Sequence, residues 1–249
     1  MQSKSGLSIV IPAYNEEKRI EPTLSHYCNY FREQNVNAEL IVVIDGFDGT
    51  LDIVKEYKRR YDGIIKYLRF SKRLGKGGAL LKGFTAASGE IVGFVDADGS
   101  VRPHEIMKLV KLVASGQCDG AIGSRWIKGA RLVRKPPIFR IILSRGLNAL
   151  VKGLFRLNLN DTQCGAKVFK RKVIEQCIPY LDVNGYSFDI YLLYAAIKKG
   201  YRIKEVPLQW QYLDGSKIVF SDVLEIFLDV CRLRVRRVEA SSICGLTWA

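Results

Sequence analysis

Short apolar runs alternate with longer amphipathic stretches through the first half of the chain. Leu7-Ser8-Ile9-Val10-Ile11 reads as a buried strand stopped by Pro12, and a helical pattern follows from about Glu16 to Arg32. Leu40-Ile41-Val42-Val43-Ile44, Ile64 to Phe70, Ile91-Val92-Gly93-Phe94-Val95 and Gly120 to Gly123 read as further strands. Helical patterns separate them, from about Thr50 to Arg60, from Gly75 to Ala87, and from Pro103 to Ala114. Apolar strands too short for alternation, each followed by a helix, predict a parallel sheet buried on both faces with right-handed crossovers. Ligands in such sheets bind beyond the carboxyl ends of the strands. Asn15, Asp45, Asp96 and Asp98 all fall at or just after those ends, so one rim of the sheet is expected to carry them.

The second half is less regular. A helix is expected from about Ile138 to Arg156, with Arg140, Ser144, Arg145, Asn148, Lys152 and Arg156 on one arc and Leu143, Leu147, Leu150 and Leu154 on the other. A second is expected from about Ser187 to Lys199, then extended chain from Tyr201 to Tyr212. A last amphipathic helix spans about Val219 to Val238, its apolar face formed by Phe220, Val223, Leu224, Phe227, Cys231 and Val238. Residues 125–172 hold thirteen Lys or Arg against one acid, Asp161. The chain as a whole carries a net charge of +14, which suits an anionic partner: nucleic acid, a phosphorylated substrate or an anionic membrane. Nucleic acid is disfavoured, because the basic segment's aromatics, Trp126, Phe139, Phe155 and Phe169, sit mostly in apolar runs rather than among the cations. The six cysteines show no metal-like spacing and read as reduced thiols. No run approaches the ~20 apolar residues of a spanning helix, and no leader is evident.

Asp96-Ala97-Asp98-Gly99 sets two carboxylates one residue apart on a turn. They either converge on a hard divalent cation that also takes phosphate oxygens, or close the strand as a polar turn. Pro12-Ala13-Tyr14-Asn15-Glu16 either cradles a nucleotide or stops the strand and caps a helix through Asn15. Asp45 is placed to accept hydrogen bonds from a base, while Asp48 or Thr50 caps the next helix. Gly75-Lys76-Gly77-Gly78 offers backbone N–H groups and an ammonium to an anion, or simply starts a helix flexibly. It matches neither the phosphate-loop nor the dinucleotide fingerprint.

PAYNEE from Pro12, VVIDGFDGT from Val42, GKGGALLKG from Gly75 and VDADGS from Val95, in this order, resemble the family-2 inverting glycosyltransferases. NDTQCGAKVFKR from Asn160, YSFDIYLLYAAIKKGYRIKEVPLQW from Tyr186 and LDGSK from Leu213 are similar to the branch that glycosylates polyprenyl (dolichyl) phosphate. The resemblance covers about residues 7–235. It implies a single GT-A-like α/β catalytic domain over 1–215, with a mostly parallel Rossmann-like sheet, and an amphipathic, membrane-associated extension over 216–249. It implies a nucleoside-diphosphate sugar bound by Pro12, Tyr14, Asn15, Glu16, Asp45, Lys76, Asp96, Ala97 and Asp98, with Mg²⁺ or Mn²⁺ on Asp96 and Asp98. A polyprenyl phosphate acceptor would be gripped by Arg125, Arg131 and Arg134, with Lys217 closing over it. Asp98, Arg125 and Asp161 are the catalytic candidates, Asp161 either orienting an arginine, touching the donor sugar or making a structural salt bridge. Tyr186 to Asp189 would pack the acceptor region, unless Asp189 caps the next helix. Gly99-Ser100 leans the donor towards UDP-glucose rather than GDP-mannose. The chain departs from the family at Ile44-Asp45-Gly46-Phe47, where Asp-Asp-Gly-Ser is usual, and lacks the processive Gln-x-x-Arg-Trp motif. A lipid acceptor implies a peripheral protein on the cytoplasmic face of a membrane.

Overall fold

The computed structural model describes residues 6–181, 185–213 and 225–232. Its centre is a seven-stranded sheet in the order β3-β2-β1-β4-β7-β5-β8. The strands are β1 (Leu7–Ala13), β2 (Ala38–Ile44), β3 (Ile65–Arg69), β4 (Ile91–Val95), β5 (Gly120–Ser124), β7 (Ala166–Lys170) and β8 (Ile203–Pro207). All neighbours pair in parallel except β7, which runs antiparallel to both β4 and β5. The expected mostly parallel α/β fold is therefore present.

Successive side chains of a strand point to opposite faces, and the apolar runs fill both. Ile9 and Ile11 of β1, with Leu40, Val42 and Ile44 of β2, join one core. Val10, Ile41 and Val43 join the other. Helices α1 (Ile20–Glu33), α2 (Thr50–Arg60) and α4 (Pro103–Ala114) cover the first face through Leu24, Phe31, Val54 and Ile106. Helices α3 (Gly75–Ala86), α6 (Arg171–Cys177) and α7 (Phe188–Lys198) cover the second through Leu80, Phe84, Ile174 and Phe188. The layers close a doubly wound sandwich with its switch of strand order at β1 and β4.

Three local features differ from the sequence pattern. The first helix begins at Ile20 rather than near Glu16, because the preceding segment is tied to the next loop: Glu16 N–H donates to Thr50 Oγ (2.8 Å) and Glu17 N–H to Asp48 (3.0 Å). Asn15 is consequently not a helix cap; it takes a left-handed φ of 53° and accepts from Phe47 N–H at 2.7 Å. Strand β7 and helix α6 were not legible, since Lys167 and Lys170 interrupt the apolar run, although Lys167 is fully buried. Strand β6 (Arg131–Arg134) also escaped the pattern; it pairs with β9 (Gln209–Gln211), which lies in the stretch expected to be extended.

Helix α5 (Ile138–Phe155) matches its expected span, and Leu147, Leu150 and Leu154 of its expected apolar face pack against a core cluster, but Asn148 of the expected polar arc is buried too. It buries Asn148, Val151 and Phe155. Asn148 is buried because its amide donates to Leu159 O (3.0 Å) and accepts from Thr162 N–H and Oγ–H. Residues 225–232 are helical, and Ile226 and Val230 pack with Val151, Phe155 and Tyr194. The expected apolar face through Phe227 is thus rotated, leaving Phe227 and Leu228 each 44% exposed. Most of the 216–249 segment, Lys217 included, lies outside the described residues.

Candidate functional site

A cavity of about 370 Å³ opens beyond the carboxyl ends of β1 and β4. Pro12, Tyr14 and Glu16 border it from the end of β1, and Asp96, Ala97 and Asp98 from the end of β4. Arg125 and Trp126 follow β5, Trp210 comes from β9, and Phe139, Arg140 and Leu143 of α5 form the outer wall.

The two aspartates are held differently. Asp96 follows β4 directly, and its N–H donates to Gly165 O at 3.1 Å. Its carboxylate lies against Gly165, where an added Cβ would stand 1.8 Å from Asp96 Oδ2. Only glycine lets β7 approach so closely. Asp98 turns back so that Ser100 N–H donates to Oδ1 at 3.0 Å, with Gly99 between them at φ 76°. Thr23 Oγ–H holds the intervening carbonyl of Ala97 (2.8 Å). Burial raises the Asp98 carboxyl above its ordinary pKa, and the nearby Asp96 charge raises it further. A divalent cation between the two would relieve both effects. Among the described residues no group of three His, Cys, Asp or Glu surrounds such an ion. Mg²⁺ keeps an octahedral oxygen shell, and two carboxylates with ligand phosphate oxygens and water suit it. The donor set therefore fits the ion.

Behind Asp96 runs a buried line of alternating charge. Lys76 Nζ lies 3.1 Å from Asp96 Oδ1 and 3.1 Å from Asp189 Oδ2. Lys167 Nζ lies 2.5 Å from Asp189 Oδ1 and donates to Cys164 O at 2.7 Å. Lys167 and Asp189 are 0% and 1% exposed. Burial disfavours the Lys76 ammonium, yet Asp189 and Asp96 outweigh it and hold its pKa above the ordinary value. Burial likewise pushes the Asp189 carboxyl up, but Lys167 and Lys76 hold it below its usual value. Asp189 therefore braces lysines, and is not a helix cap: no side-chain cap bond occurs at the start of α7.

Arg125 and Asp161 form one unit. Arg125 donates through Nε (2.7 Å) and Nη2 (2.8 Å) to the two Asp161 oxygens, and its own N–H donates to Oδ2 (2.9 Å). Its guanidinium lies over Trp210 at 5.2 Å and beside Trp126 at 5.7 Å. Asp161 is 1% exposed and stands behind Arg125 rather than on the cavity wall. Of the three roles open to Asp161, the geometry displays the salt bridge to Arg125, which also orients that arginine, and keeps Asp161 off the cavity wall.

Other expected residues are not brought together. Asp45 is buried, and its Oδ2 accepts from the N–H groups of Leu74 (2.7 Å) and Gly75 (3.1 Å), anchoring the start of α3. Neither Asp45 nor Asn15 borders the cavity. Arg131 and Arg134 lie on exposed β6 outside it. Arg140 takes the place expected for them on the wall, and its guanidinium and that of Arg134 both lie 5.8 Å from the Tyr212 ring. Arg19, Gln163 and Trp210 also border the cavity without a role having been expected for them, as do Ser100, read only for the choice of donor sugar, and Trp126, read only as an aromatic of the basic segment. Arg140 had a sequence signal in its position on the basic arc of α5.

A family model described as glycosyl transferase family 2 matches residues 8–178. The chain is 32% identical to a dolichyl-phosphate beta-glucosyltransferase of Saccharomyces cerevisiae, over 92% of this chain and 74% of that protein. It is 34% identical to a dolichyl-phosphate beta-glucosyltransferase of Drosophila melanogaster, with the same two coverages of 92% and 74%. Glucosyl-3-phosphoglycerate synthase from Mycobacterium tuberculosis, solved with Mn²⁺, uridine diphosphate and phosphoglyceric acid, shares the fold. Its TM-score is 0.68 at 20% identity, over 92% of this chain and 80% of that one.

Proposed function

The chain belongs to glycosyl transferase family 2, and from that premise we propose that it moves glucose from UDP-glucose onto a polyprenyl (dolichyl) monophosphate at a membrane surface. The observation that carries this reading is one cavity with paired carboxylates at its inner end and a braced arginine, Arg125, on its wall. The relatives' printed activity supplies the substrates.

A phosphate monoester has a second pKa of about 6, so the acceptor is already a nucleophile at neutral pH and needs no strong base. Its oxygen attacks the anomeric carbon while the bond from that carbon to the UDP oxygen breaks, and the electron pair leaves with UDP. Attack opposite the leaving group inverts the centre. Bound Mg²⁺ or Mn²⁺ supplies charge neutralisation on the diphosphate, held by Asp96 and Asp98. Lys76, fixed between Asp96 and Asp189, adds positive charge at the same end. Arg125, locked by Asp161, presents a preset guanidinium to the acceptor phosphate. Prepositioned charge of this kind costs no reorganisation during reaction.

The mouth suits a lipid. Val133, Ile138, Phe139 and Ile142 are 60%, 76%, 59% and 65% exposed, and Arg131, Arg134, Lys135 and Arg145 stand among them. Apolar side chains flanked by cations are how an interfacial helix rests on anionic lipid. Among the described residues no helix is long and apolar enough to cross a membrane. The exposed apolar and basic side chains of α5 and β6 support peripheral contact of this domain with a membrane, which we assign to the cytoplasmic face. Replacing Ile138 and Ile142 together by Asp is expected to lower partition onto anionic vesicles at least tenfold, read by flotation, with UDP affinity unchanged. Equal flotation would remove α5 from the membrane contact.

Labelled UDP-glucose, GDP-mannose and UDP-N-acetylglucosamine, each incubated with polyprenyl phosphate and Mg²⁺, test the reaction. Lipid-linked glucose is the expected product. Product from GDP-mannose alone would reassign the donor, and none from any donor would overturn the reading. Gly165→Ala is expected to reduce transfer at least a hundredfold, since its Cβ would occupy the site of the Asp96 carboxylate. Transfer within tenfold of wild type would show that Asp96 can move without consequence.

A further inference from the structure

Glu105 sits in the first turn of α4, where an acid ordinarily faces water and favours the helix dipole. Here it is 2% exposed. A buried carboxylate is costly unless it is paired and hydrogen-bonded. Lys108 Nζ donates to its two oxygens at 2.7 and 2.8 Å, and His104 Nε2 lies 3.1 Å from Oε1. Those two partners belong to its own helix. The third does not: the backbone N–H of Gln209 donates to Oε2 at 3.0 Å.

Gln209 opens β9, and the setting of that strand depends on the bond. β9 pairs with β6 along one edge, and just beyond it Tyr212 N–H donates to Arg134 O at 3.0 Å. Among the described residues no strand lies along its other edge. There Gln209 N–H meets Glu105, and Gln211 N–H meets Ser100 O at 3.3 Å. The Glu105 carboxylate thus supplies the acceptor that a neighbouring strand would supply. A two-stranded ribbon is marginal by itself, so these two bonds set how it stands against α4 and the turn after Asp98. Between the two glutamines comes Trp210, which borders the cavity and carries the Arg125 guanidinium 5.2 Å from its ring. Asp161 fixes the edge of that guanidinium, and Trp210 fixes its face.

We propose that Glu105 is a positioning residue for the transfer: by clamping Gln209 it sets Trp210 against Arg125, and so holds that guanidinium where the acceptor phosphate arrives. This role rests on the proposed reaction only for the identity of the acceptor.

Glu105→Gln keeps an oxygen for Gln209 N–H and loses the charge, whereas Glu105→Leu loses both. Glu105→Leu is expected to raise the KM for a polyprenyl phosphate about tenfold, the scale of one cation–π contact. Its kcat should stay within threefold, and its UDP affinity, by calorimetry with Mn²⁺, within twofold. Glu105→Gln should bring the acceptor KM back to within threefold of wild type, and Lys108→Met, which removes the ion pair alone, should leave it unchanged. Trp210→Leu should reproduce the defect of Glu105→Leu, and the pair should add less than threefold, since both break one chain of contacts. Hydrogen exchange at the Gln209 amide reads the clamp without substrate: fast in Glu105→Leu, protected in wild type and Glu105→Gln. Where Glu105→Leu does not fold, Glu105→Leu with Lys108→Met, which strands no ammonium, takes its place. Equal defects in the Leu and Gln variants would assign the effect to charge and overturn the clamp. So would independent effects of Glu105→Leu and Trp210→Leu, a fast Gln209 amide with a wild-type KM, or UDP affinity lost in step with acceptor KM. A wild type that makes no lipid-linked product yet shows the expected exchange pattern would sink the polyprenyl acceptor and leave the clamp supported.

Discussion

Asp98→Asn is expected to cut turnover by at least about a thousandfold, roughly 4 kcal/mol of transition-state stabilisation, without loss of fold. The asparagine oxygen can still accept from Ser100 N–H, so the turn at Gly99 keeps its geometry. What disappears is the charge that holds the cation. That charge is costly without a cation beside it, because burial and Asp96 both raise the Asp98 pKa. The sign follows from linkage: the folded state binds this proton more tightly than the unfolded chain, so ionising Asp98 near neutral pH destabilises the fold. The neutral variant should therefore melt at the same temperature as wild type or higher. Activity runs the other way: protonating Asp98 removes a charge that would hold the cation, so wild-type activity should fall in acid, and more cation should move that fall to lower pH. Turnover at saturating donor and acceptor, with a thermal melt on the same sample, checks both halves. Turnover within tenfold of wild type would remove Asp98 from the chemistry, and a collapsed melt would make it structural.

Asp189→Ala is expected to be the most destabilising single change in the site, at about 3–5 kcal/mol, because it strands buried positive charge. Lys167 is fully buried and would keep only the Cys164 carbonyl, while Lys76 would keep only Asp96. Since Lys167 and Lys76 depress the Asp189 pKa, its contribution is complete above the unfolded carboxylate pKa of about 4. It is lost as pH falls through the lower folded value. The double change Asp189→Leu with Lys167→Met removes charges of both signs and should recover most of the stability. Transfer should remain low, because Lys76 and Asp96 would lose their brace. Urea unfolding of the three proteins measures this. A loss under about 1 kcal/mol in Asp189→Ala would mean that water reaches the lysines.

The core of this account was readable from local pattern. β1, β2 and β4 are apolar on both faces, which is what burial between two helical layers demands. Rim position then followed for Asp96 and Asp98, since a residue after a parallel strand lies on the ligand-binding edge. The basic segment was equally plain, but its geometry was not. Arg131 and Arg134 looked equivalent to Arg125, yet Arg125 meets the buried Asp161 carboxylate while they stand on exposed β6, outside the cavity. Asp45 looked like a base contact, and its oxygen is spent on the N–H groups of Leu74 and Gly75.

By itself, then, the sequence determined the alternating α/β architecture, the aspartate pair at the fourth strand and the basic second half, because each depends on neighbours a few residues apart. Tertiary structure decided everything that hangs on β7. That strand enters antiparallel between β4 and β5, and its insertion brings Gly165 against Asp96 and Lys167 against Asp189. The segment leading into it places Asp161 on Arg125 and sets Gln163 in the cavity wall. Lys167 reads as a surface residue until its partner is known, since a charge can be buried only when a distant residue supplies the opposite one.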